Sequence, residues 1–229
     1  MCLRYLSTVA ALIILFAADQ PALAAHPEAA HSDAAADAAV AKLRDLPLPI
    51  QRPPRGTPSA TAPPPLPDLE ARRQRVYDEL HALGPASVSA LARALRDPDP
   101  EMRRDVAVAL DVVGGGWWQF ADGGAKLDLR PALPALLSAL RDPDPEVRTW
   151  AAQDISAIGS GAATAVPRLR SMLQSSDAGS RGAACNALGA IGSAARAALP
   201  DLQRARDDSS PEVRQSARDA ITKIGRAGD

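Results

Sequence analysis

From about residue 68 onward the apolar positions recur at helical spacing. In Pro145 to Gly159 (PEVRTWAAQDISAIG), positions 147, 151, 154, 155 and 158 fall on one face, three and four residues apart. Four of the five are apolar; the fifth is Asp154. The same template fits Pro100 to Gly114, Ala178 to Gly192 and Pro211 to Gly225. The segments that start at Pro145, Ala178 and Pro211 align without a gap at a period of 33 residues. The segment from Pro100 sits 45 residues before Pro145, so a 12-residue insertion separates it from the others. Arg103, Arg148, Arg181 and Arg214 share one column; Leu110, Ile155, Leu188 and Ile221 share another.

Local chemistry predicts one helix per segment. Asp99, Asp144, Asp177 and Ser210 stand where an N-cap oxygen is needed. Pro100, Pro145 and Pro211 follow at the first helical position, where a missing N–H costs nothing. Gly114, Gly159, Gly192 and Gly225 are expected to end the helices in a left-handed conformation. A shorter helix precedes each one. Leu133, Leu136 and Leu140 match Val166, Leu169 and Leu173, and Val88, Leu91 and Leu95 hold the same places in the first unit. Residues 68 to 84 fit the second-helix template alone, through Arg73, Val76, Leu80 and Gly84. The array therefore reads as half a repeat followed by four full ones. Neither helix of a pair can bury its stripe alone, so the pairs must stack.

The N-terminal third reads differently. Arg4, a run of 10 apolar residues from Val9 to Ala18, and Ala22-Leu23-Ala24 form the pattern of a secretory signal peptide over 1–24. The expected location is periplasmic or secreted, with no membrane span once the leader is cleaved. An Ala-rich segment, 25–46, could form one marginal helix from Ser32 to Leu46. Pro47 to Pro67 contains 9 of the 21 prolines and reads as an extended linker, 47–67. On this reading the folded unit starts near Asp68 and runs over 68–229.

Composition narrows the class. The chain has 229 residues, 49 of them Ala, and only 3% aromatic residues, which suits closely packed helices and argues against a β-sandwich or barrel. Lys plus Arg (26) balance Asp plus Glu (27), which excludes a strongly basic nucleic-acid binder. Loss of the leader removes Cys2 and leaves Cys185 without an internal partner. Three His and two Cys offer little for a metal cage, so no metal and no cofactor is expected.

The pattern L-R-D-P-D-P-E-V-R-x-x-A-A-x-x-[IL]-x-x-I-G resembles HEAT repeats, closest to the short type of phycobilisome-lyase-like proteins. The resemblance covers about residues 68 to 229. It implies an all-α fold, a right-handed α-solenoid of about four and a half HEAT-like helix pairs, and a protein–protein scaffold. Some relatives bind chromophores, and one HEAT-like enzyme class uses paired His-Glu metal ligands. This chain has no His-Glu dipeptide and no His after Gly84, so that metal chemistry does not carry over.

Departures from the repeat are the candidate functional positions. The insertion, 114–128, carries Trp117, Trp118 and Phe120 among glycines, and suits either a partner hot spot or a cap over a gap in the solenoid. Trp150 lies beside the core stripe, where the other repeats have Asp105, Ala183 and Ser216, and could face the groove or pack at a repeat junction. Asp154 occupies a stripe position held elsewhere by Ala109, Ala187 and Ala220. A carboxylate there needs a partner, and pairing with a ladder Arg (Arg103, Arg148, Arg181 or Arg214) is the expectation. Cys185 reads as an inert packed thiol rather than a reactive one. No nucleophile–base pair stands out, and no catalytic residue is assigned. The reading is an exported scaffold that grips another protein through the solenoid groove and the Trp loop. The alternatives are a chromophore-lyase-like accessory enzyme and a nucleic-acid-binding HEAT-like protein, the latter opposed by charge and leader.

Overall fold

The structure is a computed structural model, and residues 27–46, 67–116 and 126–226 are described. Every regular element among them is helical. The α-helices are α1 (Pro27–Ala41), α2 (Pro67–Ala82), α3 (Pro85–Ala94), α4 (Pro100–Val113), α5 (Leu133–Ala139), α6 (Pro145–Ile158), α7 (Val166–Met172), α8 (Ala178–Ile191), α9 (Leu199–Ala205) and α10 (Pro211–Arg226). Short 3-10 segments lead into α5, α7 and α9 (Arg130–Ala132, Gly159–Ala165, Gly192–Ala198). The second helices α4, α6, α8 and α10 pack side by side in chain order. The shorter helices lie behind them, and the core runs continuously through Leu91, Leu110, Leu136, Ile155, Leu169, Leu188, Leu202 and Ile224, all fully buried.

The caps act as their sequence implies. The side chains of Asp99, Asp144 and Asp177 accept backbone N–H bonds from Glu101 (3.0 Å), Glu146 (2.8 Å) and Ser180 (2.6 Å). Gly159 and Gly192 end α6 and α8 at φ of 66° and 73°, a backbone open to Gly alone. Gly114 differs: it stays at φ −74°, and Gly115 takes the positive φ (72°) where the insertion begins. Gly225 lies inside α10 and ends nothing.

The four column arginines staple the turns. Each sends its Nη1 back to two carbonyls of the turn before its helix, as in Arg148 to Asp142 O (2.7 Å) and Pro143 O (2.9 Å). Arg103, Arg181 and Arg214 repeat the pattern. Arg103 and Arg181 also reach one repeat onward, to Asp142 and Asp208 (both 2.7 Å). In the turn after Arg148 that acid is replaced by Ser175, which removes the carboxylate an onward bridge would need.

The N-terminal boundary needs correction. The folded unit does not start at Asp68, because the Ala-rich segment is part of the solenoid. Helix α1 packs chiefly on α3 and also touches α2, and the 3-10 turn Lys42–Asp45 lies against α4. Ala36, Ala39, Val40, Leu43 and Leu46 are buried there. Asp37 pairs with Arg93 (2.6 Å), Lys42 with Glu79 (2.6 Å) and Arg44 with Asp97 (2.7 Å). Thus α1 supplies the missing first helix of the half repeat, from across residues 47–66. At the other end Arg206, Arg218 and Lys223 are exposed, a polar finish for the terminal repeat.

Candidate functional site

The second helices present one side to solvent, and the repeat places equivalent residues along it in a line. Val108, Gln153, Asn186 and Asp219 share one helical position; Val108 and Gln153 are half-buried, Asn186 and Asp219 exposed. Asp219 accepts from Gln215 Nε2 (2.9 Å). Trp150 stands one turn before Gln153, half-buried and packed against the core. Its ring is therefore shared between packing and an open face. The sequence reading missed the Gln153–Asn186–Asp219 line, although the 33-residue alignment contains it. Trp117, Trp118 and Phe120, the other aromatic candidates, lie outside the described residues.

In the preceding repeat the position of Trp150 is Asp105, which is only 7% exposed. Burial pushes its carboxyl up to about 7, against the pull of Arg73 from α2. Tyr77, beside the same pair, is pushed to about 12 by burial. The charge of Arg73 on α2 thus bears on buried Asp105 of α4, which spacing alone did not reveal.

Asp154 is not paired with a ladder arginine, contrary to expectation. It is fully buried, and neither carboxylate oxygen has a hydrogen-bond partner. The geometry explains the failure. Arg148 sits six residues upstream, roughly 9 Å along the helix axis, and its guanidinium is spent on the turn carbonyls behind it. Burial, and then the negative charge of Asp111, drive the Asp154 carboxyl well above the usual carboxylate range. Asp111 itself, on α4, is 5% exposed, and its carboxylate lies hard against Gly116.

Two clefts flank these features. One of about 340 Å³ is lined by Gly114, Leu127, Leu129, Arg130, Ala157 and Ile158, where α4 and α6 both end. The other, about 550 Å³, lies between α7 and α9 and carries Arg170, Asp201 and Arg204. Burial opposes ionisation of Asp201, but hydrogen bonds from both arginines hold it below the usual range. The Cys185 thiol is buried and pushed to about 12 by that burial, with Asp208 adding to it. It is therefore not a thiolate at neutral pH. Among the described residues no three His, Cys, Asp or Glu side chains converge as metal ligands, and no helix is long and apolar enough to cross a membrane.

Comparison with known proteins agrees with this geometry. The family model described as HEAT repeats matches residues 126–222. Residues 126–222 are thus HEAT repeats. No curated protein sequence matches the chain. Among solved structures, the complex of CpcE and CpcF of phycocyanin lyase from Nostoc sp. PCC7120 is similar at TM-score 0.51 and 25% identity, covering 76% of this chain and 71% of that one. A designed armadillo repeat protein in complex with the peptide (KR)4 is similar at TM-score 0.53 and 21% identity, over 67% of this chain and 68% of that one. An engineered protein matches at TM-score 0.55 and 22% identity, over 87% of this chain and 90% of that one. The chain thus resembles that phycocyanin lyase complex and the designed armadillo solenoid in fold.

Proposed function

We propose that the protein is an exported scaffold that binds another protein along its second-helix face and through the aromatic insertion. The observation that carries this reading is the open line of Gln153, Asn186 and Asp219 beside half-buried Trp150. Side chains repeated at one helical position recur at the spacing of packed helices, about 8–10 Å. That spacing suits contacts to an extended partner segment, with an aromatic ring as anchor. The peptide-bound armadillo design supports a protein ligand for a solenoid of this kind. Export rests on the leader pattern of residues 1–24, and processed protein lacking them in a periplasmic or secreted fraction is the expected outcome.

The insertion is tested by Trp117→Ala combined with Trp118→Ala. The repeats elsewhere keep their period without it, so the solenoid does not need it. Crosslinking in the native envelope identifies the partner. Against that partner the double variant should lose about 2 kcal/mol or more of binding while its thermal stability stays nearly constant. A stability loss of about 3 kcal/mol or more would instead make the rings core, and would remove the insertion from the interface. The lyase resemblance supports a second reading, an accessory to chromophore attachment. Co-purification of a covalently modified partner would favour it.

A further inference from the structure

The arginine ladder is broken at one rung. Arg103 grips Asp142 of the following turn with Nε and Nη2 (2.7 and 3.1 Å), and Arg181 grips Asp208 in the same way (2.7 Å for both). Arg44 Nη2 reaches the matching acid of the first turn, Asp97 (2.7 Å). Arg148 meets Ser175 at that place. Its Nη1 makes the usual two bonds, to Asp142 O and Pro143 O. The guanidinium is planar and rigid, so pinning Nη1 as in the sister repeats turns the same Nε–Nη2 edge onward. Among the described residues those two nitrogens have no hydrogen-bond partner, and neither is sealed in the core. Ser175 drops the charge but keeps the turn. Asp142 and Asp208 also accept the N–H of the residue two further on (2.9 and 2.8 Å), and Ser175 Oγ still does so for Asp177 (3.2 Å). Its hydroxyl donates to nothing among the described residues.

We propose that the Nε–Nη2 edge of Arg148, with the Ser175 hydroxyl, binds a carboxylate from outside the chain, an Asp or Glu side chain of the partner protein that completes the ladder. A guanidinium offers two parallel N–H groups that match the two oxygens of a carboxylate. The sister rungs show the fit: hydrogen bonds from Arg181 hold the Asp208 carboxyl down at about 2. Ser175 is half-buried, and Pro143, Gln174 and Ser176 beside it are exposed, so the edge is reachable from solvent. Asp142, Asp144, Glu146 and Asp177 stand in the same two turns, which favours a single negative charge over a phosphate dianion. One such pair at a surface adds little affinity, so its effect is to select which residue the partner presents. That the carboxylate belongs to a protein rests on the scaffold reading above; the preference of the site for a carboxylate does not.

The test uses the full chain, isotope-labelled at nitrogen, with acetylated and amidated glutamate as probe and the matching glutamine compound as its neutral control. In magnetic resonance titrations at constant ionic strength, the Nε–H signal of Arg148 should move saturably with the glutamate probe and not with the control. The signals of Arg103 and Arg181, already bound, should stay still. Ser175→Asp installs the acid of the sister repeats, so it should fold, hold Arg148 from within and abolish the response. Arg148→Lys keeps the charge without the fork; followed at the Ser176 amide, it should bind the probe at least ~10-fold more weakly. This variant carries the comparison if the Ser175→Asp protein does not fold. An Arg148 signal that ignores the glutamate probe overturns the proposal, as does a Ser175→Asp or Arg148→Lys protein that binds the probe as the unmodified chain does. Inorganic phosphate acting at lower concentration than the probe overturns the choice of a carboxylate. Against the partner found by crosslinking, Ser175→Asp should bind several-fold more weakly. Unchanged partner binding overturns the partner side chain as occupant and leaves the scaffold reading standing. If no partner is captured the scaffold reading fails, while the probe titration still decides the site.

Discussion

Asp105 shows how one residue type acquires different chemistry along a repeat. The same position holds Trp150, Ala183 and Ser216, so nothing in the pattern marks it as ionic. Packing of α2 on α4 brings Arg73 near it and removes water, and burial wins over the arginine. Because the folded-state value is about 7 against an ordinary 3.8, the folded protein keeps a proton that the unfolded chain has lost between these values. Stability from this group is therefore present below pH 4 and is lost progressively up to pH 7. Raising the pH from 5 to 8 should lower the unfolding free energy by roughly 2 kcal/mol through Asp105 alone. Urea midpoints at both pH values should show this slope flattened in Asp105→Asn. An unchanged slope would place the titration elsewhere.

Helix α8 carries three glycines, of which Gly182 and Gly189 differ sharply in packing. A Cβ at Gly189 would meet Ala220 Cα at 2.9 Å and Ala220 Cβ at 3.2 Å, on the backbone of α10. A Cβ at Gly182 would meet only Val213 Cγ2 at 3.9 Å. Alanine gains up to about 1 kcal/mol over glycine inside a helix, so the neighbour decides the sign. Gly182→Ala should stabilise by roughly 0.5–1 kcal/mol, read from the thermal midpoint. Gly189→Ala forces α8 and α10 apart and should destabilise by roughly 1–2 kcal/mol net. The pair tests whether the packing of α8 on α10 depends on the missing side chain.

For the whole molecule the N-terminal helix matters most. Helix α1 buries Ala36, Ala39 and Val40 at the first end of the solenoid, and the turn after it adds Leu43 and Leu46. Removing residues 1–66 uncovers one side of α3 and leaves Arg93, Glu79 and Asp97 without their partners. The exposed ion pairs contribute little, so the cost is mainly the apolar burial, roughly 2–4 kcal/mol. The shortened chain should melt about 4–12 °C lower than the full chain. An unchanged melting temperature would mean that α1 is not part of the cooperative unit.

The helices, their N-caps, their pairing and the repeat were legible in the sequence, because each depends on contacts within about 33 residues that recur in register. Period and capping signals repeat, so one unit explains the next. Three features needed the tertiary structure. The Ala-rich segment lacks large apolar residues and is separated by residues 47–66, so only its fit on α3 shows that it completes the first pair. The pairing expected for Asp154 failed because column position says nothing of reach along the axis; Arg148 lies on the same helix but points back to its own turn. The charge of Asp111 bears on Asp154 only because neighbouring second helices pack, since contacts between helices of different repeats are set by stacking rather than by local spacing.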